Sequence, residues 1–354
     1  MFTGHGGTGA AAARALGKPV LDASASIAPF PAPAAALRAY QQAADALAYY
    51  PEIDGQCLRQ AMVASLGLGP DDVLVGGGAT EFIYLIPRAL RPGRVLCFVP
   101  TYRDYADAAR LAGCPFVALP TCWEEAFARD LVPLDAGAQP GDLVFLCNPN
   151  NPTGDLIPAD AVRDFCACHP EVTVAVDESY VEFLGSAASC IKAGLLRNLL
   201  ILRSPTKFYG LPGVRLGFCC GLPETITRLL DAKEPWTASA PALAVGLALL
   251  QCADYDARIR EWIAREKPAL ATLLAAIPGL AVCPGAVNFL LCRIQSDRPT
   301  SVELRAACLE RGLLIRDASN FEGLDGHYFR LAVRTETENR CMAKIIREAL
   351  AGYK

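Results

Sequence analysis

Ser204-Pro205-Thr206-Lys207, followed closely by Gly213-Val214-Arg215-Leu216-Gly217, is the stretch around which the rest of the chain can be read. It comes directly after Asn198-Leu199-Leu200-Ile201-Leu202-Arg203, a short apolar run that predicts a buried strand. A lysine just past the end of a buried strand, flanked by two hydroxyls, is oddly placed for a surface charge. Lysine is the side chain that condenses with an aldehyde, and desolvation helps it by lowering its pKa. Upstream, Val172-Thr173-Val174-Ala175-Val176 predicts a second buried strand that delivers Asp177 at its C-terminal end. A buried carboxylate there can hold the proton of a ring nitrogen. The two strands together offer an aldehyde trap, a partner for a protonated ring and a phosphate-binding loop. Taken singly, a lysine in a βα loop and an aspartate capping a helix are ordinary structural residues, so the neighbouring motifs carry the weight.

Those motifs repeat one pattern. Val73-Leu74-Val75 leads into Gly76-Gly77-Gly78-Ala79-Thr80-Glu81, which opens a helix expected over Phe82 to Leu90. Glycines between a strand and a helix let backbone N–H groups approach an anion, and the helix N-terminus favours negative charge there. A strand over Arg94 to Val99 ends at Pro100-Thr101-Tyr102-Arg103-Asp104-Tyr105. Another, Leu143 to Cys147, ends at Asn148-Pro149-Asn150-Asn151-Pro152-Thr153-Gly154. Helical stretches such as Ala106 to Ala112 and Asp160 to Cys168 alternate with the strands. This is the α/β pattern of a mostly parallel sheet covered by helices on both faces. Ligands of such sheets bind beyond the carboxyl ends of the strands, where all the candidate residues fall.

The pattern changes after about Pro235. Ala240 to Leu274 reads as helical with breaks, Asn288 to Cys292 and Tyr328 to Val333 as strands, and helices are expected from Ser301 and Glu338. This predicts a smaller α+β domain. Residues 1 to about 35, rich in Gly, Ala and Pro, read as an arm with little regular structure, followed by a short helix from Ala34 to Leu47. The expected division is 1–45 for the arm and part of the small domain, 46–235 for the large domain and 236–354 for the C-terminal small domain.

Composition sets the bounds. The 354 residues are 53% hydrophobic and 20% charged, enough for a large core and a second, smaller domain. A net charge of −4 argues against a nucleic-acid surface. The 15 cysteines have no regular spacing and make no disulfide framework, which points to a reducing cytoplasm with thiols packed as small hydrophobes. Cys166-Ala167-Cys168-His169 lacks a second ligand pair and reads as a helix end with two packed thiols. No metal site is expected. The opening Met1-Phe2-Thr3-Gly4-His5-Gly6-Gly7 lacks the basic and apolar segments of a secretory leader. No apolar run reaches the length of a membrane span, and the longest, around Ala240 to Leu250, suits a buried helix.

The succession Tyr50-Pro51, Gly78-Ala79-Thr80-Glu81, Pro100-Thr101-Tyr102, Asn150-Asn151-Pro152-Thr153-Gly154, Asp177-Glu178-Ser179-Tyr180 and Ser204-Pro205-Thr206-Lys207 resembles the pyridoxal 5′-phosphate enzymes of aminotransferase fold type I. Order and spacing agree over nearly the whole chain. The nearest subfamilies are the L-threonine-O-3-phosphate decarboxylases and the histidinol-phosphate aminotransferases. The resemblance implies that Lys207 carries the cofactor aldehyde and that Asp177 keeps the pyridine nitrogen protonated. It implies that Asn151 and Tyr180 bond the ring 3′-oxygen and that Tyr102 stacks on the ring. The amides of Ala79 and Thr80, with Ser204, Thr206 and Arg215, would cradle the phosphate. Tyr50 would reach the cofactor phosphate of a neighbouring subunit, which implies a homodimer. Arg330 would take the substrate carboxylate, in the bidentate geometry arginine suits.

Within the family, His5-Gly6-Gly7, Thr206-Lys207-Phe208-Tyr209 and Leu314-Ile315-Arg316 resemble the decarboxylases. There His5 and Arg316 would bind the substrate phosphate, and Ser26 would line the substrate site. The chain departs from the usual pattern at Thr8, and at Ser26-Ile27-Ala28-Pro29, where amide side chains are common. Gly77 likewise stands where an asparagine is common. The expected reaction is decarboxylation of L-threonine O-3-phosphate, or of a close relative such as phosphoserine, to an amino-alcohol phosphate, as in cobalamin side-chain synthesis. Transamination of the histidinol-phosphate type with 2-oxoglutarate uses the same cofactor residues and is the alternative. A non-catalytic ligand- or DNA-binding member of the fold would carry a fused helix-turn-helix, and the sequence shows none.

Overall fold

The computed structural model describes residues 6–353. Thirteen strands form three sheets among these residues. β1 (Leu21–Asp22) pairs in parallel with β11 (Leu313–Leu314). The large sheet contains β2 (Val73–Gly76), β3 (Val95–Val99), β4 (Phe116–Pro120), β5 (Leu143–Cys147), β6 (Thr173–Asp177), β7 (Leu199–Arg203) and β8 (Gly217–Cys220). Its order is β2-β8-β7-β6-β5-β3-β4. The ladder from β7 to β4 is parallel, and β8 runs antiparallel to both its neighbours. The small sheet, β12 (Arg316–Asp317), β13 (Tyr328–Ala332), β10 (Phe289–Ile294) and β9 (Leu280–Val282), is antiparallel throughout.

The large sheet is buried on both faces, as its near-continuous apolar strands require. Side chains alternate between two cores with the period of two that a strand imposes. Val95, Cys97, Leu143, Phe145, Ala175, Leu200 and Leu202 pack with the helices Ala79–Leu90, Asp104–Leu111 and Pro223–Ala232. Leu96, Phe98, Val144, Leu146, Val174, Val176, Leu199 and Ile201 pack with the helix Ala159–Cys168 on the other face. The small sheet shares a core with the helices Ala253–Ala275, Ser301–Glu310 and Glu336–Ala351.

The strands expected at 143–147, 172–176 and 198–203 form at 143–147, 173–177 and 199–203, within a residue of their anticipated ends. Several expectations need correction. The helix expected from Phe82 already begins at Ala79, because Gly78, at φ 108°, supplies the sharp entry and leaves the next amides free to start the helix. The amino-terminal segment is not irregular: Gly9–Leu16 is a helix ended by Gly17 at φ 63°. The helix expected over Ala34–Leu47 stops at Gln42 and continues as a short 3₁₀ turn, Asp45–Ala48. The apolar run Leu313-Leu314-Ile315 reads as a strand ending at Arg316, but it is not one strand with that residue. β11 and β12 pair with different sheets, so the chain bends at buried Ile315. Of the two thiols near His169, Cys166 is buried and Cys168 is exposed, since they sit two residues apart on one helix and face different ways. Nine of the fifteen cysteines are buried, as small hydrophobes would be, and all fifteen are free. No described helix is long and apolar enough to cross a membrane.

The last helix has a complete capping box. Thr335 Oγ1 accepts from the Glu338 amide at 3.4 Å, and Glu338 Oε2 accepts from the Thr335 amide at 3.1 Å. This explains why the helix starts at Glu336, ahead of the expected Glu338. Thr335→Ala should cost about 1 kcal/mol, read as a lower urea midpoint at unchanged slope. An unshifted midpoint would mean that packing alone sets this helix start.

Candidate active site

A cavity of about 460 Å³ opens beyond the carboxyl ends of the parallel strands. The chain leaves β3 and β5 on opposite courses, since the β3–β4 connection runs to one side and β5, β6 and β7 follow on the other. Ligands settle at such a switch point. The sheet and its helices contribute Ala79, Thr80, Tyr102, Asn151, Asp177, Tyr180, Ser204, Thr206, Lys207 and Arg215 to the lining. The amino-terminal segment and the small sheet contribute Gly6, Gly7, Ser26, Arg316 and Arg330.

Asp177 follows Ala175 by two residues, so it faces the same side of the sheet as the helix Asp104–Leu111. From that helix, the Tyr105 hydroxyl donates to Asp177 Oδ2 at 2.8 Å, and the Ser179 amide donates to Oδ1 at 2.9 Å. Each carboxylate oxygen can accept a second hydrogen bond, so the buried group can also hold an N–H facing it from the cavity. Burial, reinforced by the charge of Asp177, pushes the Tyr105 phenol well up, so Tyr105 remains a donor. Burial also pushes the neighbouring Cys147 thiol up to about 11, which leaves it protonated and poorly nucleophilic. Burial raises the Tyr102 phenol in the same way. The Lys207 ammonium lies 4.4 Å from the centroid of the Tyr180 ring, whose π-face steadies it inside the cavity.

A second group of donors surrounds the start of the helix Ala79–Leu90. Ser204 Oγ and Thr206 Oγ1 are 3.1 Å apart, and Arg215 closes over Gly78. A Cβ at position 78 would come within 2.6 Å of Arg215 Nη2. A Cβ at position 217 would run into the backbone of Gly78 and the amide of Ala79. Glycine at both places lets β8 and Arg215 approach the free amides of the helix, an anion cradle. Glu81 fixes the turn, because its Oε2 accepts from the Gly77 amide at 2.5 Å while Lys233 Nζ lies 3.1 Å from Oε1.

The third group is cationic. Register in the small sheet sets Arg316 directly opposite Arg330. Arg330 Nη1 donates to Asn151 Oδ1 and Nη2 donates to the Ser24 carbonyl at 3.3 Å, while its buried Nε has no partner. Arg316 donates to the Asp317 carbonyl and, at 2.7 Å, to Asn320 Oδ1, with the Phe321 ring beneath it. Burial, then the charge of Arg330, brings the Arg316 guanidinium down to about 10. Burial also lowers Arg330, partly offset by Tyr180. Like charges opposed across a sheet repel, so this pair is arranged for anions. Ser26 Oγ, buried and without a hydrogen-bond partner, shares the cavity wall.

The structure thus gathers all but two of the anticipated site residues around one cavity. Tyr50 is 83% exposed and leans on Trp236, with ring centroids 5.0 Å apart, outside the cavity. His5 lies outside the described residues. Sequence reading missed the roles of Tyr105, Glu81, Asn320 and Ser24 as holders of site groups. The Tyr105 contact could have been found only by combining strand alternation with the position of the next helix.

The chain matches the family described as aminotransferase class I and II over residues 18–346. It is 31% identical to the threonine-phosphate decarboxylase of Salmonella typhimurium over 358 residues, covering 98% of this chain and 97% of that one. It is 34% identical to the histidinol-phosphate aminotransferase of Roseiflexus castenholzii over 355 residues, covering 95% and 92%. The crystal structure of L-threonine-O-3-phosphate decarboxylase from Porphyromonas gingivalis aligns with a TM-score of 0.82 and 27% identity, over 94% of this chain and 98% of that one. The chain belongs to the class I and II aminotransferase family, with the type I fold of pyridoxal-phosphate enzymes. Its cofactor is pyridoxal 5′-phosphate. The donor set fits that group: an amine at Lys207, a buried carboxylate at Asp177 and a glycine-bounded anion cradle at the start of a helix.

The cradle makes position 217 a sharp test. Gly217→Ala should push the helix start aside and weaken cofactor binding about tenfold or more, with far-UV circular dichroism unchanged. Gly213→Ala, whose Cβ would meet nothing within 4 Å, should leave binding intact. Equal cofactor affinity in both variants would show that the close approach at Gly217 does not matter.

Proposed function

We propose that this enzyme decarboxylates L-threonine O-3-phosphate, or a close phosphorylated amino acid such as phosphoserine, to an amino-alcohol phosphate of the kind used in cobalamin side-chain synthesis. The observation that carries the reading is the facing pair Arg316 and Arg330 in the lining of the same cavity as the anion cradle. Two opposed guanidinium groups suit a substrate with two separate anions, a carboxylate and a phosphoryl group.

Pyridoxal phosphate, when bound, supplies an aldehyde for the substrate amine and a ring that accepts the electron pair of a bond broken at the α-carbon. The chain's own residues do the rest. Lys207 would hold the aldehyde, and its Nζ would supply the proton that takes the place of CO2 at the α-carbon. Asp177, steadied by Tyr105 and Ser179, keeps the ring nitrogen protonated. Tyr102 would pack on the ring, while Tyr180 and Asn151 would hold the ring oxygen. Ala79, Thr80, Ser204, Thr206 and Arg215 hold the cofactor phosphate. Arg330, itself oriented by Asn151 and the Ser24 carbonyl, takes the carboxylate. Arg316 takes the phosphoryl group beside Ser26, with His5 as a further ligand. How Arg316 and Arg330 hold the two anions would decide whether CO2 or the α-proton departs.

The likeness to histidinol-phosphate aminotransferases supports a second reading, transamination with 2-oxoglutarate. Release of CO2 from threonine phosphate favours the first reading; glutamate formation from 2-oxoglutarate favours the second. Arg316→Ala should raise KM about ten- to a hundredfold for phosphorylated amino acids and far less for unphosphorylated analogues, with the cofactor spectrum unchanged. In the native enzyme the same KM should rise as the pH passes about 10, because Arg316 loses its charge there. Equal losses on both substrate types would reduce Arg316 to a structural role and remove the main support for the decarboxylase.

We also propose that the enzyme works as a homodimer in the cytoplasm. Tyr50 stands on an exposed apolar face with Leu47, Tyr49, Ile53 and Trp236, away from its own cavity, which supports a role in the neighbouring subunit's site. The fifteen unpaired thiols support a reducing compartment. Tyr50→Ala should weaken cofactor binding, and diluting the native protein to monomers should weaken it comparably. A monomer that binds cofactor as tightly as the dimer would exclude the shared site.

A further inference from the structure

We infer that Asp22 and Ser24 form a polar latch that holds the amino-terminal segment against the rim of the cavity, and that this latch sets the affinity for the substrate's phosphorylated end. Asp22 Oδ1 accepts from the Ser24 amide at 2.8 Å and from the Ser24 hydroxyl at 2.6 Å. Asp22 Oδ2 accepts from the Gly9 amide at 2.8 Å, at the start of the helix Gly9–Leu16. Ser24 Oγ in turn accepts from the Gly7 amide at 2.9 Å. Two side chains therefore collect the backbone of the segment whose Gly6 and Gly7 line the cavity. Glycine is required for the approach. A Cβ on Gly6 would strike the Ser24 carbonyl, and one on Gly9 would lie 2.5 Å from Asp22 Cβ.

The latch is tied to both substrate arginines. Leu21 and Ala23 donate to the Gly312 and Leu314 carbonyls at 2.8 and 2.9 Å, on the strand that runs into Arg316. Ala332 donates to the Ala23 carbonyl at 2.8 Å, and Arg330 Nη2 reaches the Ser24 carbonyl. Residues 21–24 thus join the segment to β11 and β13 at once. Apolar packing offers little other anchorage, because Gly9 is the single buried residue of the helix Gly9–Leu16. A segment held chiefly by polar contacts opens easily once they are removed. Asp22 is a positioning residue: it lies off the cavity wall and acts through Gly7, Gly9 and Ser24.

The catalytic half of this inference rests on the phosphorylated-amino-acid reading; the latch itself does not. In cofactor-loaded protein, Asp22→Ala should speed hydrogen exchange within residues 6–16 about tenfold or more, with exchange in the large sheet unchanged. It should raise KM for threonine phosphate about tenfold, leave kcat within about twofold, and leave KM for an unphosphorylated analogue unchanged. Ser24→Ala, which removes only the Gly7 contact and its own bond to Asp22, should act the same way more mildly and serves if Asp22→Ala does not fold. Unchanged exchange over residues 6–16 overturns the latch. Faster exchange with an unchanged KM overturns its role in substrate affinity. A native enzyme that turns over no phosphorylated amino acid overturns the substrate reading, while the exchange result still decides the latch.

Discussion

Backbone hydrogen bonding among β5, β6 and β7 sets Cys147, Asp177 and Leu202 side by side, and the rest of the site depends on that alignment. Three neighbouring strands end at one level, so the turns carrying Asn151, Tyr180 and Lys207 open into a common space. The period of two along β6 then turns Asp177 toward the helix that carries Tyr105. A one-residue slip of this strand would point Asp177 toward the opposite core and exchange every partner it has. The apolar burial on both faces that holds the register therefore also positions the carboxylate.

Charge is managed differently at the two ends of the cavity. Near the sheet, the buried carboxylate has two neutral donors and spare acceptor capacity. Near the small sheet, buried Arg330, whose Nε has no partner, faces half-buried Arg316. Desolvation and mutual repulsion disfavour both charges in the absence of an anion, as the lowered position of Arg316 records. An anion placed between them would relieve that cost. Asn151, Ser24 and Asn320 hold the arginines in place without neutralising them.

The amino-terminal segment joins the small sheet's side of the molecule through short backbone bridges. β1, only two residues long, pairs with β11, while the following residue accepts from β13. The amino-terminal segment, Arg330 and the cavity rim are therefore tied together by hydrogen bonds. On the cofactor side Gly217 lets backbone touch backbone, and Gly78 admits the Arg215 guanidinium. Both ends of the cavity rely on close approaches that any side chain would obstruct.

The sequence by itself determined the parallel strands, the residues at their carboxyl ends and the family. Buried strands write themselves as unbroken apolar runs, and the residues that follow them must cluster at one edge of the sheet. It also revealed Arg316 and Arg330 as candidates, though not that they stand opposite each other. That fact depends on the register between β12 and β13, which forms between segments a dozen residues apart and only after the chain bends at Ile315. Tyr105 as the partner of Asp177, Glu81 as the brace of the glycine turn and Asp22 as the tie on the amino-terminal segment were equally hidden. Each is a polar side chain of ordinary local pattern whose partner is brought to it by packing. Local periodicity reports which face a residue takes, and only the assembled tertiary structure reports what waits on that face.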